Sequence, residues 1–152
     1  MIIQQCTKLT PQHWQLLLLA DPERAAIQRY INSSTIFEAR HKQALIAIIV
    51  LQPRNDRKLE IKNIAVHPHW RGQHVATRLL EFAQQYGRQH GYQKLLVGTG
   101  STSFTQLYLY QKVGFRVVGI DRDFFVRNYR QPIYENRLRL RDMLILALPL
   151  VE

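Results

Sequence analysis

The sequence predicts a mixed α/β sheet with helices packed on it. Three observations carry that expectation. Ala44–Leu51 is almost wholly apolar and rich in β-branched residues, the pattern of a strand buried on both faces. Val75, Leu79, Phe82, Ala83 and Tyr86 recur at helical spacing, and Gly91 supplies a natural stop. Finally, strand-like and helix-like segments do not alternate regularly, which argues against a doubly wound parallel sheet.

The elements follow in order. Met1–Cys6 is a short apolar segment that reads as a strand. Thr10-Pro11 pairs an N-cap residue with proline at the first helical position, and Trp14, Leu17 and Leu18 follow at helical spacing. Asp21-Pro22 repeats that start signal. Ala25, Ile27, Tyr30 and Ile31 give a second helix its apolar face, and Asn32-Ser33-Ser34 ends it. Thr35–Ala39 reads as a strand, Pro53–Lys58 as a polar turn and Leu59–Val66 as another strand. The apolar alternation slips between Ile61 and Ile64, which is what a β-bulge would produce. After the helix that ends near Gly91, Lys94–Val97 is a short strand. Phe104–Val113 is a helix stopped at Gly114, and Arg116–Ile120 and Leu144–Leu148 are the last strands. Arg127–Arg139, broken by Asn128, Pro132 and Asn136, reads as irregular.

At 152 residues, without repeats or linker-like runs, residues 1–152 are expected to form one domain. An apolar fraction of 46% suffices for a packed core. The lone Cys6 cannot close an internal disulfide, and the N-terminus lacks the pattern of a signal peptide. The expectation is a cytoplasmic protein with no membrane span. The formal charge of +10 favours anionic partners, either nucleic acid or a polyanionic small molecule. Arg116, Arg122, Arg127, Arg130, Arg137, Arg139 and Arg141 cluster late. Asp121, Asp123, Glu135 and Asp142 are mixed among them, so this is not a basic arm. His67-Pro68-His69 has two imidazoles but no further ligand at metal-binding spacing, and no metal is expected.

The chemistry concentrates in Arg71-Gly72-Gln73-His74-Val75-Ala76, a compact loop that leads from a strand end into a helix. A helix start leaves backbone N–H groups unpaired and carries partial positive charge, so it suits a phosphate. Gly72 permits the tight curl, Ala76 keeps bulk away, and Arg71 adds a charged fork of donors. An ordinary strand–helix connection with an exposed arginine would look the same on spacing alone.

A second run, Tyr110-Gln111-Lys112-Val113-Gly114-Phe115, follows one helix and one strand later. In that order the two runs resemble the signatures of the GNAT family of N-acetyltransferases, over Leu59 to about Val118. The resemblance implies a central, mostly antiparallel twisted sheet flanked by helices, with acetyl-CoA as co-substrate. Residues Arg71, Gly72, Gln73, His74, Val75, Ala76 and Thr77 would hold the pyrophosphate. Ile64, Ala65 and Val66 would pair by backbone with the pantetheine arm. Tyr110 would protonate the departing thiolate, and Glu60 would be the base that takes the amine's proton. A Glu60 paired with Lys62 or Lys58 at the surface is the competing reading. His74 departs from the family, which usually has glycine there. It either contacts a phosphate or points to solvent.

The expected acceptor is a primary amine on a small molecule or peptide, and a homodimer is left open. Gly98–Ser103 reads as a turn and N-cap lining the cofactor cleft. Asp123-Phe124-Phe125 and Asn128-Tyr129 read as acceptor-recognition or packed loop residues. Two rival readings are a small basic nucleic-acid-binding domain and an acyl-CoA-binding module without catalysis.

Overall fold

The computed structural model describes residues 1–151. Seven strands form one sheet in the order β1-β2-β3-β4-β5-β9-β6. The strands are β1 (Ile2–Gln5), β2 (Thr35–His41), β3 (Ala44–Arg54), β4 (Lys58–Val66), β5 (Lys94–Gly100), β6 (Arg116–Asp121) and β9 (Met143–Pro149). A two-strand ribbon, β7 (Tyr134–Glu135) with β8 (Leu138–Arg139), stands apart. The helices are α1 (Pro11–Ala20), α2 (Arg24–Ile31), α3 (Val75–Gln89), α4 (Phe104–Val113) and α5 (Phe124–Asn128). Only β4 and β5 run parallel; every other pairing in the sheet is antiparallel. The mixed, mostly antiparallel sheet expected from the sequence is thus observed.

The sheet has an apolar layer on each face. Leu59, Ile61, Leu79, Ala83 and Leu95 belong to the layer that includes α3. Leu16, Leu17, Ile27 and Ile31 meet Ile48, Val50 and Ala65 on the α1–α2 side. β3 feeds both layers, with Ile49 and Leu51 in one and Ile48 and Val50 in the other, which is why its sequence is continuously apolar.

The slip in β4 is a bulge. Val50 pairs with Asn63 and Leu51 with Ile61, so Lys62 has no partner on β3. That extra residue reverses the strand's phase. Leu59 and Ile61 join the α3 layer, whereas Ala65 joins the α1–α2 layer. Asn63 turns the same way, and its Nδ2 donates to the Leu17 carbonyl at 3.0 Å.

Several boundaries differ from expectation. α2 begins at Arg24 with Glu23 as N-cap, because Asp21 and Pro22 belong to the turn from α1. β3 continues through Pro53 to Arg54, leaving only Asn55–Arg57 as the turn. Gly98–Gly100 is strand, not turn, since β5 pairs with β9 as far as Gly100–Met143. The segment expected to be irregular contains the end of α5 and the β7–β8 ribbon. Among the described residues, no helix is long and apolar enough to cross a membrane.

Candidate active site

β4 and β5 pair from Lys58–Lys94 to Ile61–Val97 and no further. Beyond that point β4 stays with β3 as far as Val66, while β5 stays with β9. The two parallel strands therefore separate, and the edge of β4 at Ile64, Ala65 and Val66 faces no strand. Ile64 and Val66 are partly buried and Ala65 is buried.

β4 ends on a short 3-10 turn, Pro68–Trp70, tied back by the His67 N–H to the Ile46 carbonyl at 2.7 Å. Arg71, Gly72, Gln73 and His74 follow, all exposed, and lead into α3. Among the described residues, none accepts a hydrogen bond from the N–H groups of Gly72 through Thr77. The first helix-capping bond at this end runs from the Arg78 N–H to the His74 carbonyl, at 3.1 Å. Six consecutive donors at the positive end of a 15-residue helix make an anion seat. Gly72 (φ 76°) and His74 (φ 63°) both take left-handed backbone. The second explains why a glycine is at home there. Histidine is one of the few other residues enriched in that region, so the loop keeps its shape with a side chain in solvent.

On the other side of the gap stands α4. Tyr110 is only 4% exposed, and its ring packs edge-on against Phe115, centroids 5.8 Å apart. Burial pushes its phenol well above the ordinary tyrosine range. Tyr108 is 66% exposed with Lys112 above its ring, so the two tyrosines face opposite ways. Gly114 ends α4 in left-handed backbone (φ 127°), as its place in the motif requires.

Tyr110 lines a cleft of about 700 Å³ that runs between α2, the β4–β5 gap and α5. Gly98 and Gly100 let β5 approach its neighbours here, since a Cβ on Gly98 would sit 2.6 Å from Met143 Sδ. Ser103 Oγ donates to Glu135 at 2.8 Å, which fixes the β7–β8 ribbon over the cleft. Phe124 and Phe125 line the cleft from α5, and Tyr129 lines it from the position just after that helix.

Glu60 is not among the lining residues. Its two oxygens accept from Arg54 Nη1 at 3.1 Å and Lys62 Nζ at 3.3 Å. The ion pair with Lys62, weighed from the sequence, is therefore present, with Arg54 in place of Lys58.

A buried polar group that no sequence motif marks lies at the same cleft. Asp21 accepts from the Tyr129 hydroxyl at 2.6 Å and from the Tyr30 hydroxyl at 3.1 Å. Tyr30 in turn accepts from Asn63 Nδ2 at 3.1 Å. Burial pushes the Asp21 carboxyl above its usual range, and the two tyrosines partly offset it. A usable signal was present: Asn63 is a lone amide in an otherwise apolar strand end, and a buried amide needs partners.

Cys6, His13 and Glu38 come together elsewhere in the only three-residue metal-ligand grouping among the described residues. Its lone pairs are already committed. His13 Nδ1 accepts from the Thr10 N–H at 3.0 Å, leaving Nε2 to donate to Glu38 at 2.8 Å. Glu38 is also paired with Arg40. These contacts tie α1 to β2.

A family model for the acetyltransferase (GNAT) family matches residues 4–115. The chain is 36% identical over 137 residues to an uncharacterized N-acetyltransferase, YvbK, of Bacillus subtilis (strain 168), covering 90% of this chain and 88% of that one. A GNAT family acetyltransferase from Elizabethkingia anophelis, solved with acetyl-CoA bound, superposes with a TM-score of 0.93 at 39% identity over 97% of each chain. A Bacillus subtilis acetyltransferase in complex with CoA gives 0.93 at 34% identity over 98% of each. Fold, open seam and relatives together define an acyl-group transferase. The chain belongs to the GNAT family of acetyltransferases.

Proposed function

We propose that this chain moves an acetyl group from acetyl-CoA to a primary amine by direct attack, within one domain spanning residues 1–152. One observation carries the reading: the unpaired edge of β4 leads straight into the unpaired N–H groups of Gly72–Thr77, with Tyr110 across the gap. An extended donor with an anionic end fits that layout. The N–H groups of Gly72, Gln73, His74, Val75, Ala76 and Thr77, with the Arg71 guanidinium, would hold its pyrophosphate. The edge at Ile64, Ala65 and Val66 would hold its amide-bearing arm, and an N–H there would stabilise the oxyanion.

In the transfer, the amine's lone pair forms the new C–N bond and the C–S pair departs with sulfur. Tyr110 gives its proton to that sulfur and regains one from solvent. The nitrogen's surplus proton passes to Glu60, through water because both its oxygens already hold cations. The products are an N-acetyl amine and CoA thiol. The acceptor is a small-molecule or peptide amine, and the setting is the cytoplasm. A homodimer would use the edge strand β6, where Val117, Val118 and Ile120 are exposed; light scattering reports it directly.

Calorimetry tests the donor site. Arg71→Ala should weaken CoA binding by about 1.5–3 kcal/mol, as for a hydrogen bond to a charged group. CoA and its pyrophosphate-free half binding equally well would refute the site.

A further inference from the structure

We infer that Asp21 is the seat of the acceptor's amine, and that the acceptor is a primary monoamine with an apolar body, not a polyamine. The inference rests on the acetyl-transfer reading for its chemistry, but its geometry stands alone. Asp21 is 8% exposed and lines the cleft, yet no arginine or lysine is bound to its carboxylate. Burying a carboxylate is costly unless something compensates it. Here two neutral hydroxyls, the Glu23 backbone N–H and the charge of Arg29 offset burial only in part, and no cation is bound to either oxygen.

A second observation points the same way. Asn63, 4% exposed and lining the same cleft, has an Oδ1 that accepts from no described group. A carboxylate with no bound cation and an amide oxygen with no donor, both lining one cleft, suit a ligand rich in N–H donors. The rings of Phe125 and Tyr129 add a lining that favours a cation over water, while the Tyr30 ring already carries the Lys62 ammonium, 5.4 Å from its centroid. The same carboxylate would serve the reaction. Attack by a neutral amine puts positive charge on nitrogen, so Asp21 stabilises the transition state more than the neutral ground state.

The mouth sets the selectivity. Arg29, Arg54 and Lys62 stand around it. Glu60 is shared between Arg54 and Lys62, whereas Arg29 donates only to the Asn128 carbonyl, at 3.0 Å. A second ammonium trailing from the acceptor would lie among these cations and be repelled. Phe124, Ile133 and Met143 offer an apolar body a surface instead.

The experiment uses the full chain saturated with CoA. Calorimetry measures binding of 2-phenylethylamine and spermidine, and thiol release measures their turnover with acetyl-CoA. 2-Phenylethylamine should bind more tightly and have the higher kcat/KM. Asp21→Asn should raise its Kd and KM by about tenfold or more, the loss expected for a hydrogen bond to a charged group, with CoA affinity within about twofold. Arg29→Gln gives a change that misfolding cannot mimic: the spermidine to 2-phenylethylamine ratio of kcat/KM should shift severalfold toward spermidine. Tight binding of 2-phenylethylamine that Asp21→Asn leaves intact, no binding of it at all, or a preference for spermidine would each overturn the seat. Binding that depends on Asp21 without thiol release from any amine would instead overturn the acetyl-transfer reading and leave the seat standing.

Discussion

Replacing Tyr110 with phenylalanine isolates one oxygen atom. The hydroxyl has no partner among the described residues, so its removal leaves no orphaned group behind. The ring keeps its edge contact with Phe115, and α4 keeps its packing. Stability should therefore change by less than about 1 kcal/mol, and CoA affinity by less than about twofold. Loss of a general acid costs about a hundredfold to ten-thousandfold in rate, or about 3–5 kcal/mol of barrier. Single-turnover thiol release is the proper assay, because slow product release would hide the chemical step. Burial raises the Tyr110 phenol above its ordinary value of 10.0, so it stays protonated through the whole working range. The wild-type single-turnover rate should consequently show no alkaline loss from this group below about pH 10. Tyr108→Phe is the control, since that ring is 66% exposed on the opposite side of the helix. A Tyr110→Phe enzyme within about threefold of wild type in single turnover would refute the assignment, because a general acid is worth far more than that.

Other substitutions separate the remaining roles. Glu60→Gln should slow turnover at neutral pH, and the defect should shrink toward about pH 10, where the amine loses its proton unaided. An unchanged pH–rate profile would make Glu60 only the counter-charge of Arg54 and Lys62. His74→Gly should raise the melting point, by up to about 1 kcal/mol of stability, because glycine takes the left-handed backbone without strain; a large loss of CoA affinity would show that the imidazole touches a phosphate. At Glu38, burial opposes ionisation, yet hydrogen bonds from Arg40, Gln4 and His13 hold the carboxyl at about 2 against an ordinary 4.5. A lowered value means stability that is present above about 4.5 and is lost as pH falls through about 2. Urea titrations across that window should show a shallower pH dependence for Glu38→Gln; an identical slope would contradict the ion pair.

Elements whose signal is local were legible in the sequence. The buried run of β3, the Thr10-Pro11 helix start and the amphipathic face of α3 each follow from a few neighbouring residues. The donor loop was legible for the same reason, since a helix start makes its own anion site. Asp21 was not. Its residue type and the proline after it signal a helix start, and only tertiary contacts with Tyr30, 9 positions on, and Tyr129, 108 on, reveal another use. Gly98-Thr99-Gly100 was misread for a related cause. Glycines suggest a turn, but here they admit the side chains of Met143 and Leu140 to the face of a strand.

The bulge at Lys62 links fold to site. Without it, Asn63 would continue the phase of Leu59 and Ile61 and bring an amide into the apolar layer beneath α3. With it, Asn63 turns to α1 and α2, where the Leu17 carbonyl and Tyr30 hydroxyl receive it. The same step occurs one residue after the last β4–β5 pair, at Ile61–Val97. A bulged strand bends and twists more than its neighbours, which gives a local cause for β4 leaving β5 there. Pairing β4 with β3 through a bulge thus accounts for two properties of the site: the open edge at Ile64–Val66 and the amide that anchors the Asp21 network. Deleting Lys62 should therefore do more than shorten a strand. It would place Asn63 directly after Ile61, still on the α1–α2 face, while removing the bend that parts β4 from β5, so CoA binding should fall with the Asn63 contacts to Leu17 and Tyr30 kept. Retention of CoA binding in the deletion variant would show that the bulge does not cause the opening.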